Sequence, residues 1–350
     1  MGIKVLMLLG YYEPGGFKTV VDSLNKYLSM YDVNVTVAAR VIRVEPPKHV
    51  NLIELKPEEV PHESRYYDVI HIHTSYPYTK IAIKQGLHNI VFTWHGYAPT
   101  IYVPGIRNKL INIALRFAYR RILPKILFIT AVSNYANMQL RKLIGISGKV
   151  VPNGVDLELF KPCHKREHRE RSEHYPVILN LTAYNNLKGK DLLIKSFKVI
   201  KRKYPKATLI ATGLDYNSFS KDIIRMDYIQ YNKVPQLYCS ADFYLLTSKH
   251  ESFGLPIIEA FATGTPVIAY DKNDARREHI NNSSAGLLFR DTRTLIQAVD
   301  EVLNNWESYS MRGVEYARKF DWRTIAKEYV DIYRKVIEGG ENLEQKIDSR

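Results

Sequence analysis

The stretch His250–Pro266, "HESFGLPIIEAFATGTP", sets two glutamates eight residues apart around a Phe-Gly-Leu-Pro turn. It follows one apolar run, "ADFYLLTS" (241–248), and leads into another, "TPVIAY" (265–270), so it reads as strand, turn, helix, strand. Pro256 suits the first helical position, where its missing N–H goes unneeded. On this reading Glu259 falls in the first helical turn and Glu251 in the loop just before it. Both acids then lie beside the backbone N–H groups of Phe253, Gly254 and Leu255, with Ser252 alongside. Such a helix start attracts anions, and a glycine there lets a phosphate come close. An isolated pair of glutamates would read as one acid favoured by the helix dipole and one solvated. The full string, closing on Gly264-Thr265-Pro266, asks for more than that.

The same alternation runs through the rest of the chain. In the first half, "IKVLMLL" (3–9), "VNVTVAA" (33–39), "DVIHIHT" (68–74), "NIVFTW" (89–94) and "KILFITAVS" (125–133) read as strands. Several are nearly continuous apolar runs, as parallel strands buried on both faces require. Between the first two, Val20, Val21, Leu24, Tyr27 and Leu28 recur at a helical period. In the second half the strands read at 175–182, 207–213, 227–231, 241–248, 265–270 and 285–289. Strand and helix in alternation predict an α/β fold of two Rossmann-like domains facing each other across a cleft, with ligand at the carboxyl ends of the strands. The first domain is expected over 1–160 and the second over 177–320. "KPCHKREHRERSEHYP" (161–176) reads as an exposed linker. A last helix over 321–340 can cross back to the first domain.

With 350 residues, 45% of them hydrophobic and 25% charged, the chain is long enough for two cores. The opening "MGIKVLMLLGYYEPGG" carries an apolar run too short for a membrane span and lacks the charged lead of a signal peptide. Two cysteines, Cys163 and Cys239, are too few for a disulfide framework, so a reducing, cytoplasmic setting is the default expectation. The net charge of +14 is concentrated. No Asp or Glu occurs between Asp68 and Asp156, where eleven Lys and Arg lie. Such a field collects anions.

The string "SKHESFGLPIIEAFATGTPVIA" resembles the Glu-x7-Glu motif of retaining nucleotide-sugar glycosyltransferases of GT-B architecture, family four, and the resemblance extends over nearly the whole chain. It implies that Glu251 contacts the hydroxyls of the donor sugar and that Glu259 binds the ribose hydroxyls. Carboxylates suit vicinal hydroxyls because each offers two acceptor oxygens. "LTAYNNLKGKDLLIKSF" resembles the segment in which an arginine and a lysine clamp the diphosphate. Lys188-Gly189 fits the lysine, whereas Ala183 stands where the arginine is expected. Gly15-Gly16, after the first strand, matches the family's phosphate-side glycine loop and is not the G-x-G-x-x-G dinucleotide pattern. His95, in "FTWHGYAP", sits in the family's Thr-x-His-Gly context near donor sugar and acceptor. His71 and His73, on one strand face, read as structural. Asn273-Asp274 replace the usual glycine pair, with Glu278 following.

Catalysis is therefore expected from Glu251, Lys188 and His95. Donor binding is expected from Gly15, Gly16, Ser252, Phe253, Gly254, Leu255 and Glu259. No Asp-x-Asp and no zinc-spaced Cys/His cluster occurs, so neither metal nor cofactor is expected beyond the nucleoside diphosphate sugar as donor. Within the acid-free stretch, "RNKLINIALRFAYRRILPK" places Ile111, Leu115, Ala118 and Ile122 on a core-facing stripe. Lys109, Arg116 and Arg120 lie opposite, near Ile113 and Phe117. A basic face with apolar residues is that of a helix lying on an anionic membrane. A lipid-linked or membrane-associated glycan acceptor, on the cytoplasmic face, is the partner this predicts. Nucleic acid is not, because no recognised binding motif accompanies the basic charge. A nucleotide-sugar epimerase, a glycogen-synthase-like polymerase and a non-catalytic partner subunit are the competing readings.

Overall fold

The computed structural model describes residues 2–97, 105–163, 172–181, 186–214, 221–227, 229–272 and 274–348. The chain forms two compact units, Met1–Gly154 with Trp322–Arg350, and Val155–Asp321.

In the first unit strands and helices alternate: β1 (Ile3–Tyr12), α1 (Gly16–Leu28), β2 (Val33–Ile42), β3 (Asn51–Glu54), α2 (Val60–Glu63), β4 (Val69–His73), α3 (Tyr76–Lys84), β5 (Ile90–Trp94), α4 (Ile106–Ile122), β6 (Phe128–Ala131), α5 (Asn134–Ile144) and β7 (Lys149–Val150). They build one parallel sheet in the order β3-β2-β1-β4-β5-β6-β7. Strands β4 and β5 are buried at every position, which is why they read as unbroken apolar runs. Helix α1 buries Val20, Val21, Leu24, Tyr27 and Leu28, the face its period predicts.

The second unit repeats the logic with β8 (Val177–Asn180), α6 (Lys190–Lys203), β9 (Thr208–Thr212), β10 (Ile223–Met226), α7 (Val234–Ser240), β11 (Phe243–Leu246), α8 (Leu255–Ala262), β12 (Val267–Tyr270), α9 (Ala275–Ser283), β13 (Gly286–Phe289), α10 (Thr292–Asn304) and α11 (Trp306–Ala317). Its parallel sheet runs β10-β9-β8-β11-β12-β13. Ile178, Leu193, Phe197, Leu209, Phe243, Leu245, Ile268 and Val299 form its core. Helix α12 (Trp322–Asp348) closes the chain and belongs to the first unit. It buries Trp322, Tyr329, Tyr333 and Val336.

Both sheets are parallel Rossmann-like sheets, as the alternation requires. In each, the strand order reverses beside the first strand, between β1 and β4 and between β8 and β11. Chains leaving neighbouring strands in opposite directions open a crevice at the carboxyl ends of the strands. Three details depart from the sequence reading. The strand expected over 227–231 lies earlier, at β10, where Ile223 pairs with Leu209. Strands β3 and β7 are too short to show a pattern. The two cysteines are bonded to each other, Cys163 to Cys239 across 76 residues. Sequence spacing gives no sign that the chain entering the second unit runs back beside α7.

Candidate active site

The two strands that flank the reversal in the second sheet deliver the residues of interest. The chain leaving β8 makes a 3-10 turn over Asn186–Lys188 before α6, and the chain leaving β11 runs through Thr247 to Glu251. They are stitched together by Lys249 N–H donating to the Leu187 carbonyl at 2.8 Å. Gly189 holds φ +74°, and a Cβ there would stand 1.9 Å from the Thr247 carbonyl oxygen. The two backbones pass so closely that only glycine fits. This contact aims Lys188 at Glu251, and Lys188 Nζ donates to Glu251 Oε1 at 2.9 Å.

Glu251 is buried. Burial pushes its carboxyl up, but the Lys188 ammonium, with help from the Arg276 guanidinium, outweighs that and holds it below the ordinary carboxylate range. It is a carboxylate at neutral pH. Its backbone is fixed as well. Glu251 N–H donates to Asp274 Oδ2 at 2.9 Å, and its carbonyl accepts from Ala275 N–H at 3.3 Å. Asp274 is the N-cap of α9, and its carboxylate accepts both Nε and Nη2 of the fully buried Arg276, at 2.7 and 2.8 Å. Arg276 Nη1 reaches the Ser248 and Tyr270 carbonyls at 2.7 and 2.8 Å. A buried fork of this kind fixes the ends of β11 and β12 around Glu251.

Glu259 is held differently. It is the fifth residue of α8, in the second turn and not the first, because the helix begins at Leu255 with Pro256 second. Its Oε1 accepts from the Tyr231 hydroxyl and its Oε2 from the Tyr238 hydroxyl, both at 3.0 Å. Burial raises its pKa to about 7, against the two tyrosine hydrogen bonds. Gly254, at φ +93°, turns the chain into α8. Ser252 Oγ lies 3.3 Å from His250 Nε2. The Phe253 ring is buried edge-on to His279 at 4.8 Å and Phe320 at 5.8 Å. Only its backbone remains for a ligand. Leu255 is half-buried.

The remaining expected residues belong to the first unit. Gly15 (φ +146°) is the N-cap of α1 and Gly16 its first residue. His95 follows β5, with its N–H bonded to Thr74 Oγ1 at 2.9 Å and its ring 4.7 Å from that of Phe17. Its Nε2 lies 2.9 Å from His73 Nδ1. The His73 ring lies tilted with its centroid 4.1 Å from that of His71, whose Nδ1 is 2.8 Å from the Tyr333 hydroxyl of α12. Burial depresses all three histidines, His71 and His95 to about 3, so the cluster is neutral at physiological pH.

Helix α4 keeps Leu115, Ala118 and Ile122 partly buried, on the side expected, and departs from the expectation at Ile111. Ile111, placed on the core stripe, is 47% exposed, and Tyr119 is the one residue of α4 that is buried. Arg116 does not face water alone: its Nε donates to the Leu143 carbonyl at 3.4 Å. Ile106, Leu110, Ile113 and Phe117 form an exposed stripe one helical face wide, with Ile106 80% and Leu110 62% exposed. Helical geometry puts Lys109 and Arg120 along one border of it and Arg107 and Arg121 along the other. Ala183 and Asn273, two departures from the family pattern, and residues 164–171 of the linker lie outside the described residues. Among the described residues no group of three or more His, Cys, Asp or Glu is placed to hold a metal ion, and no helix is long and apolar enough to cross a membrane.

Two family models tile the chain. Residues 14–159 match Glycosyltransferase Family 4 and residues 164–320 match Glycosyl transferases group 1. The chain belongs to the family 4 glycosyltransferases of GT-B fold. Among relatives of this glycosyltransferase, the phosphatidyl-myo-inositol mannosyltransferase of Mycobacterium leprae is 23% identical over 300 residues, 79% of this chain and 76% of that protein. The sucrose-phosphate synthase of Thermosynechococcus elongatus shares the fold at a TM-score of 0.79 and 19% identity, covering 96% of this chain and all of that one. Anabaena HepE, solved in complex with UDP and glucose, does so at 0.76 and 16%, covering 94% and 99%.

The sequence marks Asp274 only as a departure from the glycine pair, not as the partner of Glu251 N–H and Arg276, and it does not single out Arg276, Tyr231 or Tyr238. Nothing local marks a buried arginine as such; Tyr231 comes from a segment read as strand, and Tyr238 from the connection after it. Gly189 was legible only as half of a Lys-Gly pair.

Proposed function

We propose that this glycosyltransferase moves a sugar, with retention of anomeric configuration, from a nucleoside diphosphate sugar to the hydroxyl of a lipid-linked or membrane-associated glycan. The observation that carries the reading is the Lys188–Glu251 pair at the carboxyl ends of β8 and β11. An ammonium has three donors, so Lys188 can keep Glu251 and still take a diphosphate oxygen. Glu251, ionised and fixed by the Asp274–Arg276 fork, accepts from the donor sugar's hydroxyls. Glu259 accepts from the ribose hydroxyls. Lys188 and the backbone N–H groups of Gly254–Leu255 carry charge on the departing diphosphate, which calls for no metal and no cofactor beyond the donor. In the first unit, the residues this reading assigns are Gly15-Gly16, to phosphate, and His95, to sugar and acceptor. The acceptor oxygen bonds to the anomeric carbon on the face the diphosphate leaves, and its proton passes to the departing phosphate oxygen. Relatives named for UDP-glucose complexes and for lipid mannosylation support donor and acceptor class alike.

Helix α4 supports a peripheral site of action at the cytoplasmic membrane face. An apolar stripe between two basic borders buries its side chains among acyl chains while lysines and arginines meet anionic headgroups, at about 1 kcal/mol per charge. A panel of UDP-, GDP- and ADP-sugars scored by thermal stabilisation, then by acceptor-dependent nucleotide release and linkage analysis of the product, tests the transfer. Release without acceptor, or epimerised donor, would replace it with the epimerase reading. Glu251→Ala should lower kcat/KM at least roughly 100-fold with the fold intact.

A further inference from the structure

The segment that enters the second unit touches both helices that hold Glu259. Phe160, fully buried, lies against the rings of Tyr231 at 5.4 Å and Tyr238 at 6.2 Å. Three residues on, Cys163 N–H donates to the Thr263 carbonyl at 3.0 Å, at the end of α8, and Thr263 N–H in turn donates to the Glu259 carbonyl at 3.2 Å. Cys163 is bonded to Cys239, the residue after Tyr238 on α7. Tyr238 is held from its other side too, since its carbonyl accepts from Thr265 Oγ1 at 2.8 Å. One short stretch of chain therefore ties the helix bearing the carboxylate to the helix bearing one of its two hydroxyl donors, and packs against the other donor.

We infer that the Cys163–Cys239 bridge is a brace for the nucleotide end of the donor site: through Phe160, Tyr231 and Tyr238 it positions Glu259, so that its oxidation state sets how tightly a nucleoside diphosphate is held. The inference rests on the reading of Glu259 as the ribose ligand. Each Glu259 oxygen already accepts one phenol and keeps a second lone pair for a ribose hydroxyl. The direction of that lone pair is set by the phenol, and hydrogen bonds weaken steeply with misalignment. Helix α7 spans only Val234–Ser240, and its own length gives it little stability. Both sulfurs belong to half-buried residues, which a thiol reductant can reach. Reduction by a dithiol places two electrons and two protons on the bridge, giving two thiols, while the reductant closes to its own disulfide. The brace then loses its covalent link, and α7 is free to tilt. Among the described residues, the groups facing the Glu259 carboxylate are the phenols of Tyr231 and Tyr238, with no lysine or arginine hydrogen-bonded to it.

The test uses the full chain at a temperature below the melting point of every form. UDP, GDP and ADP are titrated calorimetrically into the oxidised protein, and the tightest is titrated again after dithiothreitol treatment and after reoxidation. Reduction should weaken Kd about tenfold, reoxidation should restore it, and Cys163→Ser should match the reduced form in either condition. Tyr238→Phe, which keeps the ring and the bridge, should weaken Kd similarly and move the pH dependence of binding to higher pH, a change that loosened packing alone does not cause. Equal Kd in the oxidised and reduced protein, with only the melting temperature lowered, would overturn the brace. Absence of binding by any diphosphate to the oxidised protein would overturn the donor reading itself, and the inference with it.

Discussion

Glu251 and Glu259 are buried to the same degree, and burial pushes both carboxyls up. Their neighbours decide the outcome. Lys188 supplies a full charge to Glu251, whereas among the described residues Glu259 accepts from two neutral phenols, whose hydrogen bonds do not offset its burial. The sign for Glu259 follows from linkage. The folded chain holds the proton more tightly than the unfolded one, so this contribution to stability is present below the ordinary carboxylate range and lost as pH rises through about 7. Between pH 5 and 8, wild type should lose on the order of 3 kcal/mol relative to Glu259→Gln, read from paired melting curves. Parallel curves would remove the raised pKa. Glu251 has the opposite sign, its contribution lost only on acidification below the ordinary range. Gly189→Ala sets a Cβ against the Thr247 carbonyl at a positive φ. It should cost at least about 2 kcal/mol and reduce donor binding, which chemical denaturation and thermal stabilisation by the nucleotide sugar would measure.

Among the elements, those whose residues are buried on every side were legible, and those decided by what packs against them were not. Strands β1, β4 and β5 announced themselves as apolar runs, and "HESFGLPIIEAFATGTP" fixed the order strand, turn, helix, strand, with the helix one residue earlier than its proline suggests. Helix α4 carries apolar residues on nearly every side. Periodicity finds the side that meets the core, through Leu115, Ala118 and Ile122, but not that Tyr119 is its most buried residue and Ile111 its exposed edge. The Asp274–Arg276 fork was invisible for a related reason: an Asp and an Arg two residues apart look like ordinary surface charges until the fold buries them. The exposed side of α4 gives a prediction of its own. Ile113→Ser with Phe117→Ser should leave the melting temperature within about 2 °C, since surface substitutions cost little, and should abolish flotation with anionic vesicles at low salt. Unchanged flotation would remove α4 from the membrane.

For the molecule as a whole, the disulfide and the path of the chain matter most. Closing a 76-residue loop stabilises by about 4 kcal/mol in the chain-entropy view, so reduction should lower the melting temperature of the second unit by several degrees in calorimetry. The path has another consequence. Val155 and Asp321, the first and last residues of that unit, form a β-bridge, and Val155 N–H donates to the Phe320 carbonyl at 2.8 Å. The second unit is thus a single uninterrupted insertion whose two ends meet, whereas the first is assembled from two separated pieces of chain. A gene fragment encoding 155–321 should yield a folded nucleotide-binding protein. One encoding 1–154 should not, because Tyr329 and Tyr333, which close over Thr93 and His71, would be missing. The unit whose two ends meet is portable, and could be grafted into another host by joining at a single point.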